Sequence, residues 1–148
     1  MLAAESFFNL AEAKQLYGAS VTLAGTAQSY YEQAVKESYR ITGTTSNAAT
    51  TILVNGKDLS DWTASPDKLK AIWFQKWIAM TNFSGLEAWC DFRRTNYPAI
   101  PPSAGAPVGQ KLPLRLFYPS TEVGTNGANV AAQGTIDVFN TRLFWDVD

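Results

Sequence analysis

Histidine is absent from all 148 residues, and cysteine occurs once, as Cys90. A lone thiol cannot staple the chain internally. Without imidazole there is no Ser-His-Asp or Cys-His catalysis within the chain, and the commonest zinc ligand is missing. An excess of one charge is lacking too: 12 Lys and Arg stand against 13 Asp and Glu, interspersed, for a net charge of −1. That balance gives no electrostatic footprint for nucleic acid or for an anionic membrane. No apolar run reaches the 18 or so residues a membrane-spanning helix needs. No basic segment follows Met1, so no secretory signal is read. Residues 2 to 17 read instead as the middle of a packed helix, so the chain is expected to be a piece of a longer protein carrying a start Met. What the sequence does have is 46% apolar residues, enough for a globular chain with one core.

The first apolar stripe is Ala4, Phe7, Phe8 and Ala11, at the i, i+3, i+4, i+7 spacing of an amphipathic helix. It is widened by Leu10, Ala13 and Tyr17 and closed by Gly18. A second helix is predicted from Ala27 to Ile41, with Thr26 as N-cap and Tyr31, Ala34, Val35 and Ser38 on one face. The short linker makes the pair a helical hairpin, like one tetratricopeptide-type repeat. Residues 44–65 are rich in Thr, Ser, Asn and Gly and are read as a surface loop, with Ile52-Leu53-Val54 either a short strand ending at the Asn55-Gly56 turn or, preferred, an anchor tying the loop to the core. Ser65-Pro66-Asp67 starts a strongly apolar helix holding Leu69, Ile72, Trp73, Trp77 and Met80. Ser84 and Glu87 have capping-box spacing for the next helix, which carries Leu86, Trp89, Cys90 and Phe92 and ends near Thr95. Beyond it, Pro98 to Gly109 is Pro-, Gly- and Ala-rich, Leu112 to Tyr118 is extended, Thr121 to Gln133 gives turns with a short helix, and Asn140 to Trp145 is expected to pack back on the body. The expected fold is mainly α. A single domain over 1–148 is divided into a helical hairpin (1–43), a loop (44–65), core helices (66–95), and long ordered loops with a C-terminal packing segment (96–148).

Several blocks together resemble one family. Gln75-Lys76-Trp77-Ile78-Ala79 is followed by Glu87-Ala88-Trp89 with Arg93-Arg94-Thr95. After a variable loop come Pro113-Leu114-Arg115-Leu116-Phe117-Tyr118-Pro119 with Glu122, then Asn126-Gly127-Ala128-Asn129. Ala4-Glu5-Ser6-Phe7-Phe8-Asn9-Leu10-Ala11-Glu12-Ala13 opens the chain, and Leu143-Phe144-Trp145-Asp146 closes it. In this order the blocks look like the C-terminal region of the SusD/RagB family of outer-membrane nutrient-binding lipoproteins. The resemblance implies a surface-exposed lipoprotein of the Gram-negative outer membrane. It also implies a partner, a SusC-like TonB-dependent transporter, and a ligand, an oligosaccharide or peptide nutrient. No nucleic acid, metal or other cofactor is implied, and the membrane is reached only through a lipid anchor absent from these residues. The alternative is a structural module that contacts the transporter without binding ligand. A glycoside hydrolase ranks last.

Trp73, Trp77 and Trp89 sit on helical stripes and are expected to pack the core. Trp62 lies in the polar run Asp58-Leu59-Ser60-Asp61-Trp62-Thr63 and is the ligand-binding candidate, although anchoring a loop is the commoner task of such a residue. Glu87 and Asp91 share a helix face and would be the pair for a glycosidase. Capping for Glu87 and pairing with Arg94 for Asp91 account for them more simply. Arg93-Arg94 and Arg115 carry planar forks suited to anions, and are expected to hold the Pro-rich segment through carbonyls or acids. No residue is assigned a catalytic role.

Overall fold

The computed structural model describes residues 2–144 and Asp146. Among them are seven α-helices and no strand, the mainly α fold expected. The chain forms two compact units, Met1–Ala99 and Ile100–Asp148, where the sequence suggested one domain. The division falls at the Pro-rich stretch: residues 101–109 are almost all exposed and add nothing to a core.

The first unit is built on α1 (Ala3–Tyr17), α2 (Ala27–Ile41) and α4 (Lys68–Thr81), with α3 (Ser46–Leu53) and α5 (Gly85–Thr95) packed around them. The predicted stripe of α1 is the buried one: Ala4, Phe8 and Ala11 face a core shared with Tyr31, Ala34 and Val35 of α2 and Ala71 and Ile72 of α4. Each large side chain buried there contributes about 1.5–3 kcal/mol. Alanines on the facing helices leave room for the aromatics, and Phe8 meets Tyr31 edge-on at 6.2 Å between ring centres. The Glu5 carboxylate accepts the Leu2 N–H at 3.1 Å, satisfying one of the free donors of the first turn. Gly18 ends α1 at φ 54, a left-handed backbone that favours glycine. At α2, Thr26 and Ser29 cap each other: the Thr26 hydroxyl accepts the Ser29 N–H at 3.1 Å and the Ser29 hydroxyl accepts the Thr26 N–H at 2.9 Å.

Three local expectations are corrected. Residues 46–53 of the expected loop are helical. Ala49 and Leu53 are buried, so tertiary packing overrides a run of poor helix formers. Leu53 is thus the anchor expected, within a helix. The α4 N-cap is Asp67, whose carboxylate accepts the Lys70 N–H at 3.1 Å. Ser65 is 1% exposed and spends its hydroxyl on Leu59 N and Asp61 O. Ser84 makes no side-chain cap bond to α5, so the Ser84–Glu87 capping box does not form, and Glu87 is exposed.

In the second unit, α6 (Ser120–Thr125) and α7 (Gly127–Ala132) replace the turns and one short helix expected. The extended segment through Leu114 and Arg115 is held by N–H donation from both residues to the Val138 carbonyl, at 2.8 and 3.4 Å. The C-terminal packing segment is corrected at Phe144, which is 94% exposed; Trp145 lies outside the described residues.

Candidate functional site

Trp62 sits in the turn-rich segment between α3 and α4. Asp61 organises that segment: one carboxylate oxygen accepts the Gly56 N–H at 3.0 Å and the other accepts the Thr63 N–H at 2.9 Å. These backbone donors, Gly56 first, hold the Asp61 carboxyl below the ordinary range, with Lys68 adding a smaller effect. The buried Tyr31 hydroxyl donates to the Ser60 carbonyl at 2.7 Å, and Gln75 donates to the Leu59 carbonyl at 2.8 Å. Burial pushes the Tyr31 phenol far above its ordinary value, with the charges of Asp61 and Glu32 adding to the rise. Trp62 is partly buried and packs on the core, its ring 5.3 Å from Tyr31. Lys68 lies 5.5 Å over the indole and donates to the Trp62 carbonyl. The residue therefore anchors its loop, while keeping part of its surface open to solvent.

The second cluster joins α1, α4 and α5. Glu12, 6% exposed, accepts two N–H groups of Arg94 at 2.7 and 3.0 Å and the Trp73 indole N–H at 2.8 Å. Arg94 also pairs with Asp91 at 3.0 Å, the i, i+3 contact expected. Lys76, buried, pairs with Asp91 and donates to the Asn9 side chain at 2.7 Å. The Glu12 hydrogen bonds raise the Arg94 pKa most; burial works against them and Asp91 assists. Two acids and two bases close on themselves. They form the floor of an open cleft of about 480 Å³ whose rim includes Leu16, Tyr17 and Glu87. Asp91, half of the glycosidase pair weighed above, is thus committed to two cations. The contacts of Glu12 with Trp73 and Arg94, and of Lys76 with Asn9, are not legible in local sequence, because these partners lie 61 to 82 residues apart.

Arg94 reaches α1 and does not hold the Pro-rich segment. Arg93 lies 5.1 Å over the Trp89 ring. Trp73, Trp77 and Trp89 are all partly buried, and Trp73 packs on the core cluster as expected. In the second unit Arg115 lies 5.4 Å over Tyr118. A separate hollow of about 400 Å³ there is lined by Gln110, Lys111, Phe139 and Asn140, among others. Among the described residues no group of three or more Cys, Asp or Glu side chains is placed to hold a metal ion, and no helix is long and apolar enough to cross a membrane.

Residues 1–119 match the model of a SusD-like family described as "Starch-binding associating with outer membrane". No functionally curated protein matches the chain. Among solved structures, the fold is similar to a chitin-binding SusD homologue from Flavobacterium johnsoniae, with a TM-score of 0.73 and 29% identity over 100% of this chain and 36% of that one. It is also similar to a SusD homologue from Bacteroides fragilis, with a TM-score of 0.73 and 25% identity over 99% of this chain and 34% of that one. The chain therefore spans about a third of the length of each.

Proposed function

The chain belongs to the SusD-like family, and from that premise we propose that it is part of a glycan-binding component of an outer-membrane nutrient-uptake system of the SusC/SusD type. The match over residues 1–119 carries this reading, and the likeness along the whole chain to a chitin-binding homologue favours an oligosaccharide over a peptide. Its setting is the cell surface of a Gram-negative bacterium, on a lipid-anchored protein beside a TonB-dependent transporter. Binding without turnover fits the way Glu12 and Asp91 are engaged in ion pairs with Arg94 and Lys76.

Calorimetric titration of the chain with chitohexaose and with maltoheptaose tests the reading; saturable heat with at least one of them is expected, and no binding of either would overturn it for this chain. Trp62 is the residue we assign to the ligand in the first unit, as a partly exposed aromatic in a polar segment. Trp62→Ala should weaken glycan binding, and a loss of thermal stability with unchanged affinity would leave Trp62 a loop anchor only. A second reading, a module that contacts the transporter without touching glycan, is favoured by one observation: Ile78, Phe83 and Leu86 are each about half exposed or more, at 49%, 51% and 60%. It predicts co-purification with the transporter and no heat with either sugar.

A further inference from the structure

We propose that Arg115 is a binding site for a carboxylate that the described residues do not supply. Arg40, Arg94 and Arg142 each hold an acid, Glu37, Glu12 and Asp146 respectively, at 2.7 to 2.9 Å, and their side chains are 67%, 49% and 47% exposed. Arg115 reverses both properties. It is 9% exposed, and among the described residues no acidic side chain pairs with it. Among the described residues its one side-chain hydrogen bond is a long one, from Nε to the Leu116 carbonyl at 3.4 Å, and its guanidinium otherwise rests over Tyr118. A guanidinium has five N–H donors and cannot shed its charge in a protein, so the donors left without a protein partner are suited to an anion.

The described acids of the unit, Glu122, Asp137 and Asp146, are spoken for. Glu122 accepts from the Asn126 side chain at 2.6 Å. Asp137 accepts from the Phe139 N–H at 2.9 Å and from the Asn140 side chain at 2.7 Å. Asp146 pairs with Arg142. The backbone at Arg115 is fixed by its bond to Val138, so the fork is presented from a held position rather than from a free loop. A planar fork matches a carboxylate through two parallel bonds. The neighbours Leu116 and Phe117 are 63% and 69% exposed. The ligand class is therefore a carboxylate carried on a larger body, either a uronic acid sugar or an acidic side chain of a polypeptide.

The test is thermal unfolding of the whole chain in sodium acetate against sodium chloride at equal ionic strength. Acetate should raise the Tm by about 3 °C at ten times its Kd, and further with the logarithm of its concentration. R115Q should abolish the rise. R115K, which keeps the charge and loses the fork, should lose most of it and guards against misfolding of R115Q. Trigalacturonate and a short Glu-containing peptide then separate the sources: whichever acts at lower carboxylate concentration than acetate names the carrier, and either result supports the site. A Tm indifferent to all three carboxylates, or an equal rise in the R115K and R115Q variants, would overturn the proposal.

Discussion

Replacing Arg94 by Met isolates the cost of opening the α1–α4–α5 cluster. The substitution keeps most of the stem and removes the guanidinium, so Glu12 retains only the Trp73 indole as a donor, at 2.8 Å. Stripping one partner from a fully buried ion pair costs about 3–5 kcal/mol, whereas exposed pairs are worth about 0–1 kcal/mol. This pair is mixed: the Glu12 side chain is 8% exposed and that of Arg94 is 49% exposed, so water enters where the guanidinium was. The expected loss is about 2 kcal/mol. For a chain of this size that lowers the Tm by about 4–8 °C. Urea unfolding followed by tryptophan fluorescence is suited to the measurement, because four of the five tryptophans lie in the first unit. Combining R94M with Glu12→Gln should show coupling of about 1 kcal/mol or more. A loss under about 0.5 kcal/mol, or strict additivity of the two changes, would refute the view that the cluster holds these helices together.

Tyr31→Phe removes the buried bond to the Ser60 carbonyl and should cost about 1–2 kcal/mol in the same assay. The Tyr31 pKa is raised on folding, so its contribution is complete below the ordinary phenol value of 10.0 and is lost as the pH climbs past it; alkaline unfolding should therefore begin at higher pH in Tyr31→Phe. Asp61 is shifted the other way: its contribution is present above the ordinary carboxylate value of 3.8 and vanishes as the pH falls through its depressed folded value. Below about pH 4, amide exchange at Gly56, Thr63 and Ala64 should quicken, and Asp61→Ala should show that quickening already at pH 7. Gly25→Ala would place a methyl 2.7 Å from the Ser29 hydroxyl and 2.9 Å from the Tyr30 ring, so it should destabilise the start of α2 by about 1–3 kcal/mol, measured by urea unfolding.

The helical hairpin was legible because its determinants are local: the stripe Ala4-Phe8-Ala11 and the cap at Thr26 are written within a few turns of sequence. Helix α3 was not legible. Its Ser, Asn and Thr residues favour turns taken alone, and only burial of Ala49 and Leu53 against distant residues makes them helical. Ser84 and Glu87 have capping-box spacing, yet the backbone at Ser84, at φ −149 and ψ 59, does not make the bond. The charged cluster was half visible. Asp91 and Arg94 are three residues apart and announce their pairing, while Glu12 and Lys76 look like ordinary surface residues until the fold brings them inside. Trp62 was singled out as a tryptophan in a polar run, but the Tyr31 ring against which it rests lies half a helix hairpin away in sequence.

The four charges beneath the cleft have a consequence for alignment. The buried apolar side chains of α4 and α5 include Ala71, Ala79 and Ala88, and alanines are nearly interchangeable as packing partners. A side chain this small at Ala88 resists little if α5 slides by one turn, about 5.4 Å. The same slide would carry Asp91 away from Lys76 and Arg94 away from Glu12, leaving the charges of Lys76 and Glu12 stranded indoors. The cluster thus works as a detent: it favours one seating of α5, and the cleft it lines keeps a single outline.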